Sequence, residues 1–116
     1  QKISETISIS TIDEFCIENK IDHIHFLKID VEGHELHVLK GAKKMIESGK
    51  IDHIQFEFTK CNLASKSFFK EFYDMLGNSY TIYRMLPSGL RRITAYSFGL
   101  EVFAEANFYA ELKRAT

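Results

Sequence analysis

The sequence predicts an α/β fold built on part of a mostly parallel sheet. Ile24–Ile29 is nearly all apolar, which is typical of a strand covered on both faces, and Ile51–Thr59 is a second strong strand with Ile54, Phe56 and Phe58 on one face. The residues between them show the 3.6-residue period of an amphipathic helix. Because strand, helix and strand follow one another, the two strands are expected to pair in parallel through a right-handed crossover.

The first residues read as a strand followed by a short helix. Residues Ile7–Ile12 alternate apolar and polar side chains, which is the period of a half-buried strand. Asp13 is then expected to cap a helix over Glu14–Asn19. The central strand follows.

Two helices are predicted after that strand. Gly33 permits a tight turn, and the first helix is expected to run to about Ser48, with Gly49 ending it. The second helix covers about Ser67–Leu76 and ends at Gly77. Its apolar stripe consists of Phe68, Phe69, Phe72, Tyr73 and Leu76. We interpret this aromatic stripe as core.

The remaining residues are predicted to form strands joined by turns. Tyr80–Leu86 reads as a third strand, and Pro87–Gly89 supplies turn chemistry before a hairpin arm over Leu90–Thr94. Ala95–Ala104 is ambiguous and is interpreted as a loop or lid. Ala106–Leu112 is the last predicted strand.

Composition excludes several classes of protein. The 116 residues suit one small domain, and 15 basic against 16 acidic side chains give a net charge of -1, which argues against nucleic-acid binding. No apolar run approaches the ~18 residues of a membrane span. Cys16 and Cys61 are too few for a disulfide framework. Reduced thiols fit a cytoplasmic protein, which is our expectation.

Acidic side chains gather where the predicted strands end. Asp30 falls at the carboxyl edge of the sheet, Glu32 lies just beyond it, and Glu57 is near the end of the next strand. Ligands of open α/β sheets sit at this edge. Together the carboxylates are able to position a cation, orient a hydroxyl or act as a general base. Alternatively, Asp30 satisfies turn amides, Glu32 caps the helix and Glu57 pairs with a lysine.

The sequence predicts neither a metal site nor a nucleotide-binding loop. Asp30, Glu32 and His34 resemble a short run of metal ligands, but their spacing across a turn does not ensure convergence, so no metal is assigned. The chain has neither a G-x-G-x-x-G loop nor a P-loop. The other histidines lack ligand spacing and read as surface or strand-edge residues: His23, His25, His37 and His53.

Several segments together resemble the C-terminal half of the FkbM-type methyltransferases. The most specific is Lys28–Glu35, with the sequence K-I-D-V-E-G-H-E, followed by V-L-K-G-A over Val38–Ala42. The remaining segments that match the family pattern are Thr11–Phe15, Phe56–Phe58, Gly77 and Tyr80–Tyr83.

This resemblance implies a Rossmann-like class I methyltransferase that uses S-adenosylmethionine to methylate a hydroxyl on a sugar or secondary metabolite. The strand ending at Asp30 would be the fourth of that fold, the next the fifth, and the last two strands an antiparallel hairpin. Asp30 would face the methyl donor and the acceptor in a catalytic and cofactor-binding role. Glu32 would support it, and Glu57 and His34 would contact a small-molecule or glycan acceptor.

The resemblance also implies that residues 1–116 are a partial domain, since the N-terminal half with its cofactor-binding glycine loop is absent. We expect the chain to be inactive alone. Without the N-terminal half, the Ile24–Asp30 strand would be an exposed apolar edge, which favours self-association. The alternative function is a non-catalytic remnant that acts as a binding module.

Overall fold

The computed structural model describes residues 9–59, 61–64, 66–101 and 105–114. The helices are α1 (Ile12–Glu18), α2 (Glu35–Lys40), α3 (Lys43–Glu47), α4 (Cys61–Ala64) and α5 (Phe69–Leu76), with a short 3-10 turn at Phe98–Leu100. The strands are β1 (Ile24–Ile29), β2 (Ile51–Phe58), β3 (Tyr80–Leu86), β4 (Gly89–Ile93) and β5 (Ala106–Leu112). In the described part of the chain, no helix is long and apolar enough to cross a membrane.

The five strands form one sheet in the order β1-β2-β5-β3-β4. The predicted parallel pairing of β1 with β2 is confirmed. The prediction of a mostly parallel sheet is wrong for the described residues, because β5 runs antiparallel to both β2 and β3, and β4 is antiparallel to β3. The predicted hairpin arm after Pro87–Gly89 is confirmed, because β3 and β4 pair antiparallel. The last two strands, β4 and β5, are not neighbours, so the hairpin that the resemblance implied for them is wrong. β5 instead fills the gap between β2 and β3, where it pairs on both sides.

Aromatic packing explains why β5 occupies the middle of the sheet. Phe108 of β5 lies opposite Phe56 of β2, and its ring centroid is 4.5 Å from that of Phe69 in α5. Phe56 also stacks on Phe72 at 4.8 Å. The predicted apolar stripe of α5 is thus core, except that Phe68 at its start is 47% exposed.

β1 is the edge strand of the described sheet, and one of its faces is open. It was predicted to be covered on both faces, but Phe26 is 53% exposed. Ile29, whose side chain points to the opposite face, is buried. β1 is therefore half-buried. Its outer edge has no partner among the described strands, and its Phe26 side chain is exposed.

The predicted helix after Gly33 is two helices, and the reason lies at Asp13. Instead of capping its own helix, the Asp13 carboxylate accepts the backbone N–H groups of Lys44 (2.9 Å) and Met45 (3.1 Å) in the first turn of α3. Its own N–H donates to the Gly41 carbonyl at 2.9 Å. Asp13 thereby fixes the break between α2 and α3.

Thr11 performs the capping that was predicted for Asp13. Its hydroxyl oxygen accepts the Glu14 N–H at 3.1 Å, and its extended backbone precedes α1. The predicted strand over Ile7–Ile12 is not seen in residues 9–12, and its first two positions lie outside the described residues.

Residues 95–101 form a loop that is bound to the start of α5. The Glu101 carboxylate accepts the N–H groups of Phe69 (2.6 Å) and Lys70 (3.1 Å). Tyr96 donates its hydroxyl to the same carboxylate, and this hydrogen bond raises the pKa of Tyr96 to about 12. The rest of the segment that was interpreted as a loop or lid, residues 102–104, lies outside the described residues.

Candidate active site

A tight turn connects β1 to α2 and carries the acidic motif. The His34 N–H donates to the Val31 carbonyl at 3.4 Å, so the chain reverses within four residues. Glu32 has φ +49° and Gly33 has φ +98°. Positive φ at both central positions is typical of the mirror-image turn types, which favour glycine. The Glu32 side chain in this turn is exposed to solvent.

Glu35 holds this turn together from inside. Its side chain is 1% exposed, and its two carboxylate oxygens accept the N–H groups of Val31 (3.0 Å) and Gly33 (2.9 Å). This role of Glu35 was not predicted from the sequence. A glutamate at the first helical position after a glycine turn is the signal that could have indicated it.

Gly33 also brings the turn against the loop after β2. A Cβ atom at this position would lie 2.7 Å from the Cys61 carbonyl oxygen, which is too close for any side chain. The turn after β1 and the start of α4 therefore pack backbone to backbone. This contact fixes the position of Asp30 relative to the end of β2.

Asp30 and Glu57 meet at the carboxyl ends of β1 and β2. Ile29 pairs with Phe56 in the parallel register, so the next residues along the two strands, Asp30 and Glu57, lie side by side. Their carboxyl groups are close enough for Asp30 to raise the pKa of Glu57, and Asp30 is exposed whereas Glu57 is half-buried. The structure thus brings together the two carboxyls that were predicted to share this edge.

The pKa of Glu57 is raised by its surroundings. Burial is the largest cause, followed by the hydrogen bond with Asp30 and the charge of Asp30, with smaller effects from Glu105 and Glu35. These neighbours are all acidic, and within the described part of the chain no lysine forms an ion pair with Glu57. All of these causes make ionisation of Glu57 less favourable than that of an ordinary glutamate.

Glu32 and His34 do not join this pair. Both are exposed in the turn, and His34 lines a groove on the α2 side together with His37, Lys40 and Lys66. Among the described residues, Asp30, Glu32 and His34 do not form a group with metal-ligand geometry, whereas three other residues do: His23, His25 and Asp52.

Comparison with known proteins identifies the family. No curated protein and no solved structure matches the chain. The family model of the methyltransferase FkbM domain matches residues 2–85, which is well over half of the 116 residues and includes β1, the acidic turn, β2 and α5. The chain therefore belongs to the FkbM methyltransferase domain family.

Proposed function

We propose that this chain forms the acceptor side of the active site of an S-adenosylmethionine-dependent O-methyltransferase with a Rossmann-like class I fold. The observation that carries the proposal is the Asp30–Glu57 carboxyl pair at the ends of two adjacent parallel strands. The acceptor would be a hydroxyl of a sugar or secondary metabolite. In this proposal the N-terminal half of the domain supplies the rest of the cofactor site.

The donor set at this edge fits a cationic methyl donor. Acidic neighbours crowd Glu57 and raise its pKa, so a positive charge placed beside the pair would relieve their repulsion. When bound, S-adenosylmethionine supplies an electrophilic methyl group on a positively charged sulfur. Asp30, exposed at the tip of β1, is the residue that would face both this group and the acceptor.

Asp30 would act as the base of the transfer. Its carboxylate accepts a hydrogen bond from the acceptor hydroxyl and so directs the oxygen lone pair at the methyl carbon. Bound S-adenosylmethionine would supply the methyl group, with its sulfur as the leaving group, and Asp30 would take the proton that the acceptor hydroxyl loses. Glu57, beside Asp30 at the end of β2, would hold the orientation of the Asp30 carboxylate.

The exposed residues of the turn would contact the acceptor. His34 borders the groove that also contains Lys40 and Lys66, so a hydroxylated acceptor that extends away from Asp30 would meet donors there. Glu32, exposed two residues after Asp30, would support Asp30 with its charge.

The test compares Asp30→Asn with the unchanged domain in the intact protein that carries it. Methyl transfer from labelled S-adenosylmethionine to a panel of hydroxylated acceptors is measured, and cofactor binding is followed by calorimetry. Because the base is lost, we expect kcat to fall by about 10²- to 10⁴-fold, with cofactor Kd changed only a few-fold. Glu47→Gln, an exposed change on α3, is the matched control. Equal kcat in Asp30→Asn would disprove the proposed base.

A second candidate function is a binding module without catalysis, and the open edge of β1 favours it. Phe26 is 53% exposed on that strand, and β1 has a partner on only one side among the described strands. An unpaired strand edge is a template for pairing with another chain. A second copy of this chain is the simplest partner. Light scattering of the isolated chain should then show association that Phe26→Lys weakens, and a monodisperse monomer would contradict this candidate.

A further inference from the structure

Three potential metal ligands meet at the end of the sheet opposite the Asp30–Glu57 pair. His23 and His25 stand two residues apart at the start of β1, where alternate side chains of an extended chain point to the same side. Ile24 pairs with Ile51 in the parallel register, so the residues after them, His25 and Asp52, lie next to each other. The three side chains therefore share one face.

Their ligand atoms are close enough to bind one ion. One nitrogen of each imidazole and one carboxylate oxygen of Asp52 all lie within 4.8 Å of one another. His23 Nε2 is 2.9 Å from Asp52 Oδ2, and the rings of His23 and His25 are 4.7 Å apart at an interplanar angle of 69°. Ligands of tetrahedral zinc are separated by about 3.3 Å, given metal–ligand bonds of about 2.0 to 2.1 Å. Small side-chain rotations would bring the three atoms to that spacing.

An ordinary ion pair explains only part of this arrangement. His23 and Asp52 already satisfy each other by a hydrogen bond. His25 is not needed for that pair, yet its ring nitrogen lies within the same small space, beside a second imidazole. Two imidazoles that approach this closely repel when both are protonated, whereas a divalent cation between them makes the arrangement favourable.

We propose that His23, His25 and Asp52 bind one divalent transition-metal ion, and that zinc is the ion best suited to this donor set. Two imidazole nitrogens and one carboxylate oxygen are common zinc ligands, and three protein ligands leave a fourth position for water. Magnesium and calcium prefer all-oxygen sites, so they are expected to bind much more weakly.

The ion would join β1 to β2 at the ends of the strands where their parallel pairing begins. Two of its ligands come from the β1 side and the third from β2, with the whole crossover of α2 and α3 between them. Because the ligands converge only in the folded chain, binding would stabilise the fold as well as fill the site. This site is separate from the proposed methyl-transfer edge and does not depend on it.

Zinc titration by calorimetry and cobalt absorption spectroscopy on the whole chain test the proposal. We expect one zinc per chain and, with cobalt, the visible bands of tetrahedral coordination. His25→Ala should weaken zinc binding at least tenfold, whereas His37→Ala, which removes an exposed histidine of α2 outside the cluster, should leave it within twofold. Circular dichroism checks that both variants are folded, and His25→Gln replaces His25→Ala if the latter does not fold.

Thermal unfolding gives an independent readout. Zinc should raise the Tm of the unchanged chain and of His37→Ala, a chelator should reverse the rise, and magnesium should produce none. The proposal is overturned if zinc does not bind, if His25→Ala and His25→Gln bind it as tightly as the unchanged chain, or if half a zinc binds per chain. The last result would indicate an ion shared between two copies.

Discussion

The buried carboxylate of Glu35 accepts the backbone N–H of Gly33, two residues earlier in the chain, at 2.9 Å. Its other oxygen binds the Val31 N–H, so the first residue of the acidic turn and one of its two central residues are attached to one side chain. The turn is therefore held by a buried residue of α2. Asp30 and Glu32 remain free to face solvent or substrate.

Glu35→Gln should destabilise the fold. Glutamine carries an NH₂ group in place of one carboxylate oxygen. This group is a donor and cannot accept the backbone N–H that it faces, so that N–H loses its acceptor. We expect the free energy of unfolding to fall by about 1 to 3 kcal/mol, measured by urea unfolding. Glu32→Gln, an exposed change in the same turn, should stay within about 0.5 kcal/mol. Equal loss in the two variants would contradict the role of Glu35.

Gly33→Ala should be more damaging than Gly49→Ala. Both glycines have positive φ, +98° and +68°, so a side chain strains the backbone at either position. Only at Gly33 would the new Cβ also meet the Cys61 carbonyl oxygen, at 2.7 Å, whereas nothing lies within 4 Å at Gly49. Gly49→Ala should lower the free energy of unfolding, measured by urea unfolding, by about 1 to 2 kcal/mol. Gly33→Ala should lower it by more. Similar losses in the two variants would mean that the loop after β2 shifts to accommodate the new Cβ atom.

Glu57→Gln should change how stability depends on pH. The pKa of Glu57 is higher in the folded chain than in the unfolded chain, mainly because of burial. Between these two pKa values the folded chain holds a proton that the unfolded chain has released. The free energy of unfolding therefore falls as the pH rises from the ordinary carboxyl range through the pKa of the folded chain. The glutamine variant lacks this loss. Relative to the unchanged chain it should gain stability as pH rises, measured by denaturant unfolding at several pH values.

The control for this experiment is Glu47→Gln on the exposed face of α3. Its stability relative to the unchanged chain should vary little over the same pH range. A difference between Glu57→Gln and the unchanged chain that does not depend on pH would show that the carboxyl pair does not raise the pKa of Glu57.

Asp13→Ala should destabilise α3 although it lies in α1. The change removes the acceptor for the N–H groups of Lys44 and Met45, and loss of such a cap costs about 1 kcal/mol. Hydrogen exchange should show faster exchange of these two amides. Glu18→Ala, in the last turn of α1, should leave them unchanged. Slow exchange in Asp13→Ala would mean that water or another group replaces the cap.

The central strand–helix–strand pattern and the meeting of Asp30 with Glu57 could be predicted because they follow from local signals. Apolar periodicity identifies the elements, and a parallel crossover brings the carboxyl ends of successive strands to one edge. The family could be predicted as well, since the motif around Asp30 is contiguous in sequence.

Other features depend on contacts between distant parts of the chain and could not be predicted. From local sequence Asp13 was predicted to cap its own helix, and only the tertiary packing shows that it caps α3 instead. His25 and Asp52 meet through the register of two strands, which periodicity does not specify. The position of β5 between β2 and β3 depends on Phe108 packing against α5, which no local pattern encodes.

The position of β5 also has a consequence for the order in which the domain assembles during synthesis. β5 is the last of the described strands along the sequence, yet it lies between β2 and β3, which leave the ribosome before it. Until residues 106–112 emerge, β2 and β3 each carry an unpaired edge of the kind that recruits other chains. The nascent protein is therefore most exposed to aggregation just before its last described strand appears.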